Sequence, residues 1–129
     1  MADMKRKSVK QLINEIQDVE QRGHDILEEL LKEGPLLSGS LSEVKRKCGK
    51  PICYCAKGGS GHVQLQLGYT DKGTRRSRVV RKADKEQVRE WAERAKRYRE
   101  ALAKLQAIRS EQLGLLNDLK TAKSRIYKP

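Results

Sequence analysis

Aromatic side chains are scarce in this sequence of 129 residues, where they make up 4 % of the chain and phenylalanine is missing altogether. This scarcity argues against an all-β sandwich and against a large enzyme with a deep, aromatic-lined pocket. Ala, Glu, Lys, Leu and Arg instead account for about half of the residues, which is the composition of long helices. The length is that of one ordinary domain.

Long hydrophobic runs are absent as well. No apolar stretch approaches the roughly 20 residues that a membrane-spanning helix needs, and residues 1–10 are polar and basic, unlike a signal peptide. The chain has three cysteines, an odd number, which argues against a disulfide framework. We therefore expect a cytoplasmic protein.

Acidic residues are rare in the middle third of the chain. The net charge of +12 divides into −2 for residues 1–34, +9 for residues 35–83 and +5 for residues 84–129. A solvated helix face would carry both signs of charge, whereas the middle segment carries nearly one sign only. Nucleic acid is therefore the expected partner, with DNA favoured over RNA. The alternative is that these charges only keep a small domain in solution.

The first predicted helix begins at Ser8, with Gln11 three residues later to complete a capping box. Its apolar residues recur at alternating steps of three and four between Val9 and Leu30, interrupted only by Gly23. The pair Gly34-Pro35 is expected to end it, with Gly34 as the C′ residue. Three further apolar residues widen one flank of the stripe: Ile13, Leu27 and Leu31.

The second predicted helix begins at Asp84, whose carboxylate is expected to accept a hydrogen bond from a first-turn amide. Its seam runs from Trp91 to Ile126, and Trp91 and Tyr98 are interpreted as core residues rather than base-stacking platforms. At about 1.5 Å per residue it would be roughly 60 Å long against about 40 Å for the first helix. We therefore expect a homodimer, or a larger complex, through its uncovered end. The predicted interface residues are Ile108, Gln112, Leu115, Leu119, Ala122 and Ile126. Alternatively, the helix breaks near Gly114 and folds back.

The three cysteines lie close together and are followed by a histidine. Cys48, Cys53 and Cys55 fall within eight residues, and glycine-rich residues 58–61 leave His62 slack to fold back toward them. Zinc takes three or four such ligands in tetrahedral geometry. A site with all four would leave no open position for water, so the metal would be structural. Two alternatives remain: buried cysteines acting as small hydrophobic residues, or a redox pair of Cys53 and Cys55.

The pattern changes from heptads to alternation between the two helices. Val63, Leu65, Leu67 and Tyr69 alternate with polar or small residues, which predicts a half-buried strand. Residues 70–74 predict a turn with Gly73 at a positive φ. Residues 75–81 predict a return strand, and residues 40–47 a third strand.

These elements predict a mostly helical α+β fold. Two long helices, antiparallel and coiled-coil-like, would flank a small antiparallel β unit stapled by zinc. The predicted segments are an amphipathic helix (1–34), a zinc-knuckle and basic hairpin unit (35–83) and a long helix (84–129), together forming one domain.

The stretch from Gly39 to His62, with its Cys48-Gly-Lys-Pro-Ile-Cys53-Tyr-Cys55 motif, is followed by a basic hairpin and a long charged helix. In these features the chain resembles, over about residues 36–110, a prokaryotic family catalogued as a domain of unknown function. Its members are small proteins, some of them encoded near transposases. They usually have Gly-Pro and aromatic residues after the histidine, where this chain has Val63-Gln64-Leu65. The resemblance implies no reaction.

Basic side chains surround the cysteine cluster and follow the predicted hairpin. In strand geometry Arg76 and Arg78 project from one face and Arg75 and Arg81 from the other. We expect the first face to form an exposed electropositive ridge that neutralises phosphates. Tyr54 is the aromatic residue best placed for contact with a base. The candidate nucleic-acid-binding residues are Lys45, Arg46, Lys47, Lys50, Tyr54, Arg75, Arg76, Arg78, Arg81 and Lys82.

No catalytic constellation is recognisable in the sequence. Glu43 and Asp71 are the only carboxylates of the middle segment, and they form no acid–base pair. We therefore expect a non-enzymatic, zinc-binding accessory protein that binds nucleic acid, in a mobile element or another DNA-processing complex. The alternative is a protein-interaction adaptor that acts through its coiled-coil helices.

Overall fold

The structure is a computed structural model that describes residues 6–46, 52 and 61–129. It has two α-helices, α1 (Val9–Lys32) and α2 (Lys85–Lys123), and three strands, β1 (Ser40–Arg46), β2 (His62–Asp71) and β3 (Thr74–Val79). The predicted α+β class with two helices and an antiparallel sheet is confirmed. None of the helices in the described ranges is both long and apolar enough to cross a membrane.

The chain divides into two compact units. The helical unit comprises Met1–Glu33 and Tyr98–Pro129, and the sheet unit comprises Gly34–Arg97. Helix α2 therefore contributes its first turns to the sheet unit and the rest of its length to the helical unit.

Helix α1 begins as the sequence predicts. The Ser8 hydroxyl accepts a hydrogen bond from the Gln11 amide at 3.2 Å, and the Gln11 side chain accepts one from the Ser8 amide at 2.9 Å. The predicted seam is also confirmed, because Leu12 and Val19 are only 3 % and 2 % exposed and Gly23 is buried. The widened flank of Ile13, Leu27 and Leu31 is exposed.

Helix α1 ends next to Gly34, as the sequence predicts, but not through a glycine in the left-handed conformation. Glu33 caps the helix in an extended conformation, and Gly34 after it has no positive φ. A Cβ atom on Gly34 would lie 2.9 Å from the guanidinium of Arg94, a residue of the same unit. Glycine therefore accommodates the close approach of a side chain here rather than a left-handed backbone.

In the helical unit the two helices run antiparallel, as predicted. Gln112 of α2 bonds Glu20 of α1, and Arg109, three residues earlier on α2, lies over Gly23, three residues later on α1, so residue numbers rise on one helix as they fall on the other. Arg109 lies over the backbone of Gly23, where a Cβ would come within 3.0 Å of its guanidinium. This contact gives the glycine in the seam a packing role.

The hydrogen bond at the start of α2 differs from the predicted one. The alternative prediction, a break near Gly114, is wrong. Helix α2 runs without interruption through Gly114 to Lys123. A 3-10 turn (Lys82–Asp84) precedes it, and the Asp84 carboxylate accepts a hydrogen bond from Nε of Arg81 at 3.1 Å instead of from a first-turn amide. An arginine side chain has therefore taken the place of the expected backbone donor.

The sheet has the order β1-β2-β3, with both pairs antiparallel. Leu65 of β2 is 1 % exposed, and its strand partner Glu43 bonds Arg89 of α2 at 3.0 Å. The amide of Leu37 donates to the Trp91 carbonyl at 3.1 Å. The first turns of α2 therefore cover the Leu65 side of the sheet and leave the opposite side open. The predicted turn after β2 is confirmed, with Lys72 and Gly73 at φ values of 49° and 80°.

Candidate nucleic-acid interface

The open side of the sheet carries a set of small and polar residues from all three strands. Strand register places Ser40, Gly68 and Ser77 side by side across β1, β2 and β3. Paired residues share one side of a sheet, and alternate residues of a strand return to it. This surface, called the polar face below, consists of Ser40, Ser42, Gln66, Gly68, Arg75 and Ser77.

Arg75 lies across the polar face. Its Nη2 donates a hydrogen bond to the Ser40 hydroxyl at 3.3 Å, although the two residues lie on the outer strands. Its guanidinium crosses Gly68 of the middle strand so closely that a Cβ there would approach Nη2 to 2.8 Å. The missing side chain of Gly68 therefore provides the path by which Arg75 reaches β1. Glycine in a strand is typical of such close approaches.

A cavity of about 360 Å³ opens on this side of the sheet. No carboxylate-bearing residue lines it within the described part of the chain, whereas two arginines and three serines do. The Ser42 hydroxyl donates to the Gln66 carbonyl at 3.4 Å. Arginine and serine side chains supply the donors that suit an anion such as a phosphate. The lining residues are Ser40, Ser42, Gln66, Gly68, Arg75, Arg76 and Ser77.

Strand register places Arg76 and Arg78 on one side of the sheet and Arg75 on the other, as the alternation predicts. Arg76 pairs with Tyr69 and Arg78 with Leu67, so both lie on the Leu65 side of the sheet. Arg75 lies on the open side. All residues of β3 are nevertheless exposed, because β3 is an edge strand. Arg76 lies 3.6 Å from the carboxylate of Asp71 and also reaches the cavity lining.

The other basic candidates occupy several positions in the sheet unit. Lys45 is exposed on β1, and Arg81 pairs with Asp84 at 3.1 Å while Lys82 begins the 3-10 turn. Arg46 is the last residue of β1. Lys47, Lys50 and Tyr54 lie outside the described residues.

Cys48, Cys53 and Cys55 also lie outside the described residues. Within residues 6–46, 52 and 61–129, no group of three potential metal ligands occurs. His62 is half-buried as the first residue of β2, and its strand partner is Arg46, the last residue of β1. The segment containing all three cysteines therefore leaves and re-enters the sheet at adjacent positions.

The predicted interface residues of α2 are largely half-buried within the chain. Ile108, Leu115, Leu119 and Ala122 are half-buried, and Ile126 beyond the helix is 86 % exposed. Gln112 donates a hydrogen bond to Glu20 of α1. The hydrogen bonds from Gln112 and Arg109 lower the pKa of the Glu20 carboxyl below its usual value. The predicted dimer through these residues stays a prediction.

Sequence reasoning missed the uncharged members of the polar face. Ser40, Ser42 and Ser77 carried no signal by themselves, because their placement on one face depends on strand register. Gly68 did carry one, since it stands in an otherwise regular strand alternation. A guanidinium passing over a glycine recurs at Gly23 and Gly34.

A family model for a domain of unknown function, DUF6788, matches residues 16–90, and the chain belongs to this family. The match includes most of α1, the whole sheet and the first turns of α2. No curated protein and no solved structure matches the chain.

Proposed function

We propose that this member of a family without assigned function is a basic, zinc-binding accessory protein that binds nucleic acid, DNA in preference to RNA, through the polar face and the arginines of β3. The observation that carries the proposal is the cavity on the open side of the sheet, which two arginines and three serines line, with no acidic residue in its lining among those that the structure describes. Phosphate oxygens are acceptors only, so a surface of donors suits them.

Preorganisation strengthens this argument. Arg75 is held across the sheet by Ser40 and by its passage over Gly68, so little side-chain freedom remains to be lost when a phosphate binds. Arg78 is exposed, and no ion pair to it is seen in the described residues. The sheet unit as a whole has 16 basic and 6 acidic residues, a net charge of +10. Long-range attraction and short-range donors therefore act on the same unit.

Fluorescence anisotropy with labelled single-stranded DNA, duplex DNA and RNA tests the proposal. Changing Arg75, Arg76 and Arg78 to Ala should weaken binding by at least about tenfold at low salt, because each phosphate contact contributes to counterion release. The matched control changes Arg99, Lys104 and Lys123, exposed residues of the helical unit, to Ala. It removes the same charge from the chain and should change affinity by less than about threefold.

The salt dependence adds a second readout. The logarithm of the wild-type affinity should fall steeply between about 50 and about 200 mM salt, and the β3 variant should have a shallower slope. If both triple variants lost the same affinity for nucleic acid, binding would depend on net charge alone, and the polar-face assignment would be overturned. Absence of nucleic-acid binding would favour the alternative function, a protein-interaction adaptor.

The zinc part of the proposal rests on the donor set and on strand register. Cys48 follows Arg46 by two residues, so covalent geometry keeps its Cα within about 7 Å of the Arg46 Cα. His62 is paired with Arg46 across the strands. One imidazole and the first of three thiols are thereby kept near each other, as a Cys₃His site requires. Zinc bound there would tie the connection between β1 and β2 to the sheet.

Native mass spectrometry tests this part. One zinc per chain should be found, and Cys53→Ser should release it and lower the unfolding temperature. Ser60→Ala, a substitution in the same segment that removes no proposed ligand, should retain the metal. Wild-type protein that purifies without metal, and whose unfolding does not respond to added zinc, would refute the assignment.

A further inference from the structure

One side of the helical unit carries two short rows of residues at heptad spacing. On α1, Ile13, Glu20 and Leu27 follow one another at steps of seven. On α2, Leu102, Arg109 and Leu116 do the same. Residues seven apart lie on one side of a helix, so each row is a line along its helix. In both rows the outer members are apolar and the middle one is charged.

The two rows lie next to each other. Arg109 donates to the Glu20 carboxylate at 2.7 Å, which joins their centres. Because the helices are antiparallel, one heptad in either direction brings Ile13 beside Leu116 and Leu27 beside Leu102. The other inter-helix ion pair, Arg22 with Glu111, lies on the opposite flank, because Arg22 is two residues from Glu20 on α1. The surface formed by the six row residues is called the flank face below.

The flank face is exposed. Ile13, Leu27, Leu102 and Leu116 are 36 %, 36 %, 40 % and 44 % accessible. Two more leucines extend it beyond the rows, Leu31 at 71 % and Leu113 at 63 %. Each end of the surface thus has an apolar patch, with an ion pair between the two patches. Exposed apolar patches beside charged residues are typical of interaction sites.

The symmetry of this pattern identifies the partner. A two-fold axis that lies in the plane of the flank face, parallel to the helices, places the α1 row of each copy over the α2 row of the other. Each Glu20 then lies opposite the Arg109 of the other copy, and each apolar end lies opposite an apolar end. Isologous dimers require this self-complementarity, in which apolar patches meet apolar patches and opposite charges meet. We infer that the flank face is the interface of a homodimer in which the two helical units form a four-helix arrangement. With one acidic and one basic residue, the face lacks the positive excess that nucleic acid attracts.

Sedimentation equilibrium of the full chain at micromolar concentration is the first test. The wild type should be a dimer, and Leu27→Gln with Leu102→Gln should weaken dimerisation by more than about a hundredfold, because four leucine side chains leave the interface. The control, Leu36→Gln with Val79→Gln, changes two residues of the sheet unit that are 40 % and 50 % exposed. It should leave the dimer intact.

A charge exchange gives a second test that does not depend on apolar packing. Glu20→Arg should dissociate the dimer, because four cations then meet at its centre. Adding Arg109→Glu should restore it, because both the pair within the chain and the pairs between copies are rebuilt with reversed signs. Circular dichroism of each variant reports whether the helices persist.

Three results would overturn the inference. They are a monomeric wild type, a leucine variant that remains dimeric, and a double charge exchange that stays monomeric with its helicity retained. A monomer that binds an unrelated protein through these leucines would assign the face to a different partner.

Discussion

The helical unit and the sheet unit differ in how their charges are matched. The helical unit has 13 basic and 11 acidic residues, and the two arginines that cross its seam, Arg22 and Arg109, both meet carboxylates. The sheet unit has 16 basic and 6 acidic residues, and Arg75 bonds to a serine hydroxyl. Matched charges serve packing between helices, whereas unmatched charges on a rigid sheet remain available to an external anion. If both proposals hold, the helical unit forms the dimer and the sheet unit binds nucleic acid.

The largest effect is expected from a change that breaks the sheet unit alone. Gly39 has a φ of 105°, and a Cβ there would lie 2.3 Å from the Gly68 carbonyl oxygen. Gly39→Ala should therefore cost about 2–4 kcal/mol in the free energy of unfolding, from backbone strain and from the clash. Hydrogen exchange should show lost protection at Leu65 and retained protection at Val19 of the helical unit.

Gly73→Ala separates the two causes of that loss. Gly73 also has a positive φ, 80°, but a Cβ there would meet nothing within 4 Å. Only the backbone strain remains, so the cost should be about 1–2 kcal/mol. Equal costs for the two substitutions would show that contact with Gly68 contributes nothing to the stability of the sheet.

Added salt should act with opposite signs on the two units. Exposed ion pairs such as Arg22 with Glu111 weaken when charges are screened, so the helical unit should lose a few tenths of a kcal/mol, about the value of such pairs. The sheet unit, with its charge of +10, should gain stability because its self-repulsion is screened. Hydrogen exchange at Val19 and Leu65 over a sodium chloride series measures both. Parallel responses would mean that net charge does not distinguish the units.

The smallest effect concerns acid and the helical unit only. Hydrogen bonds from Gln112 and Arg109 lower the pKa of Glu20 in the folded chain. The stability from this group is therefore present above the pKa that the carboxyl has in the unfolded chain and is lost as the pH falls through the lower folded pKa. Glu20→Gln should flatten the acid limb of the helical unit's stability curve. Thermal unfolding monitored by circular dichroism at several pH values measures this effect. The same acid dependence in wild type and variant would contradict the stabilising role of the Glu20 carboxylate.

Short-range features of the fold could be predicted from the sequence. Ser8 and Gln11 identified the helix start because a capping box lies within four residues, and Gly73 identified the turn because its neighbours alternate as strands do. Leu12, Val19 and Leu65 were identified as inward-facing by their periodicity. Each of these signals is local, and each is present in the structure.

The candidate site depended on information that periodicity does not carry. Alternation assigned Arg75 and Arg76 to opposite faces, but it did not show which face α2 covers. That depends on contacts such as Arg89 with Glu43, which lie 46 residues apart in the chain. The hydrogen bond expected at the start of α2 differs for a related reason, because the Arg81 side chain donates to the Asp84 carboxylate. The partners of long side chains such as these cannot be predicted from a periodic sequence pattern.

Because Arg75 passes over Gly68, the position of its positive charge on the sheet can change without any change in net charge. Any side chain at position 68 would displace the guanidinium from its path to Ser40, since even a Cβ atom comes within 2.8 Å of it. A single methyl group, as in Gly68→Ala, would thus shift the position of a cation on the surface while the net charge of +12 stayed the same. Divergent sequences with this sheet could therefore retune their affinity for anions through a neutral position, where a comparison of charged residues alone would register no difference.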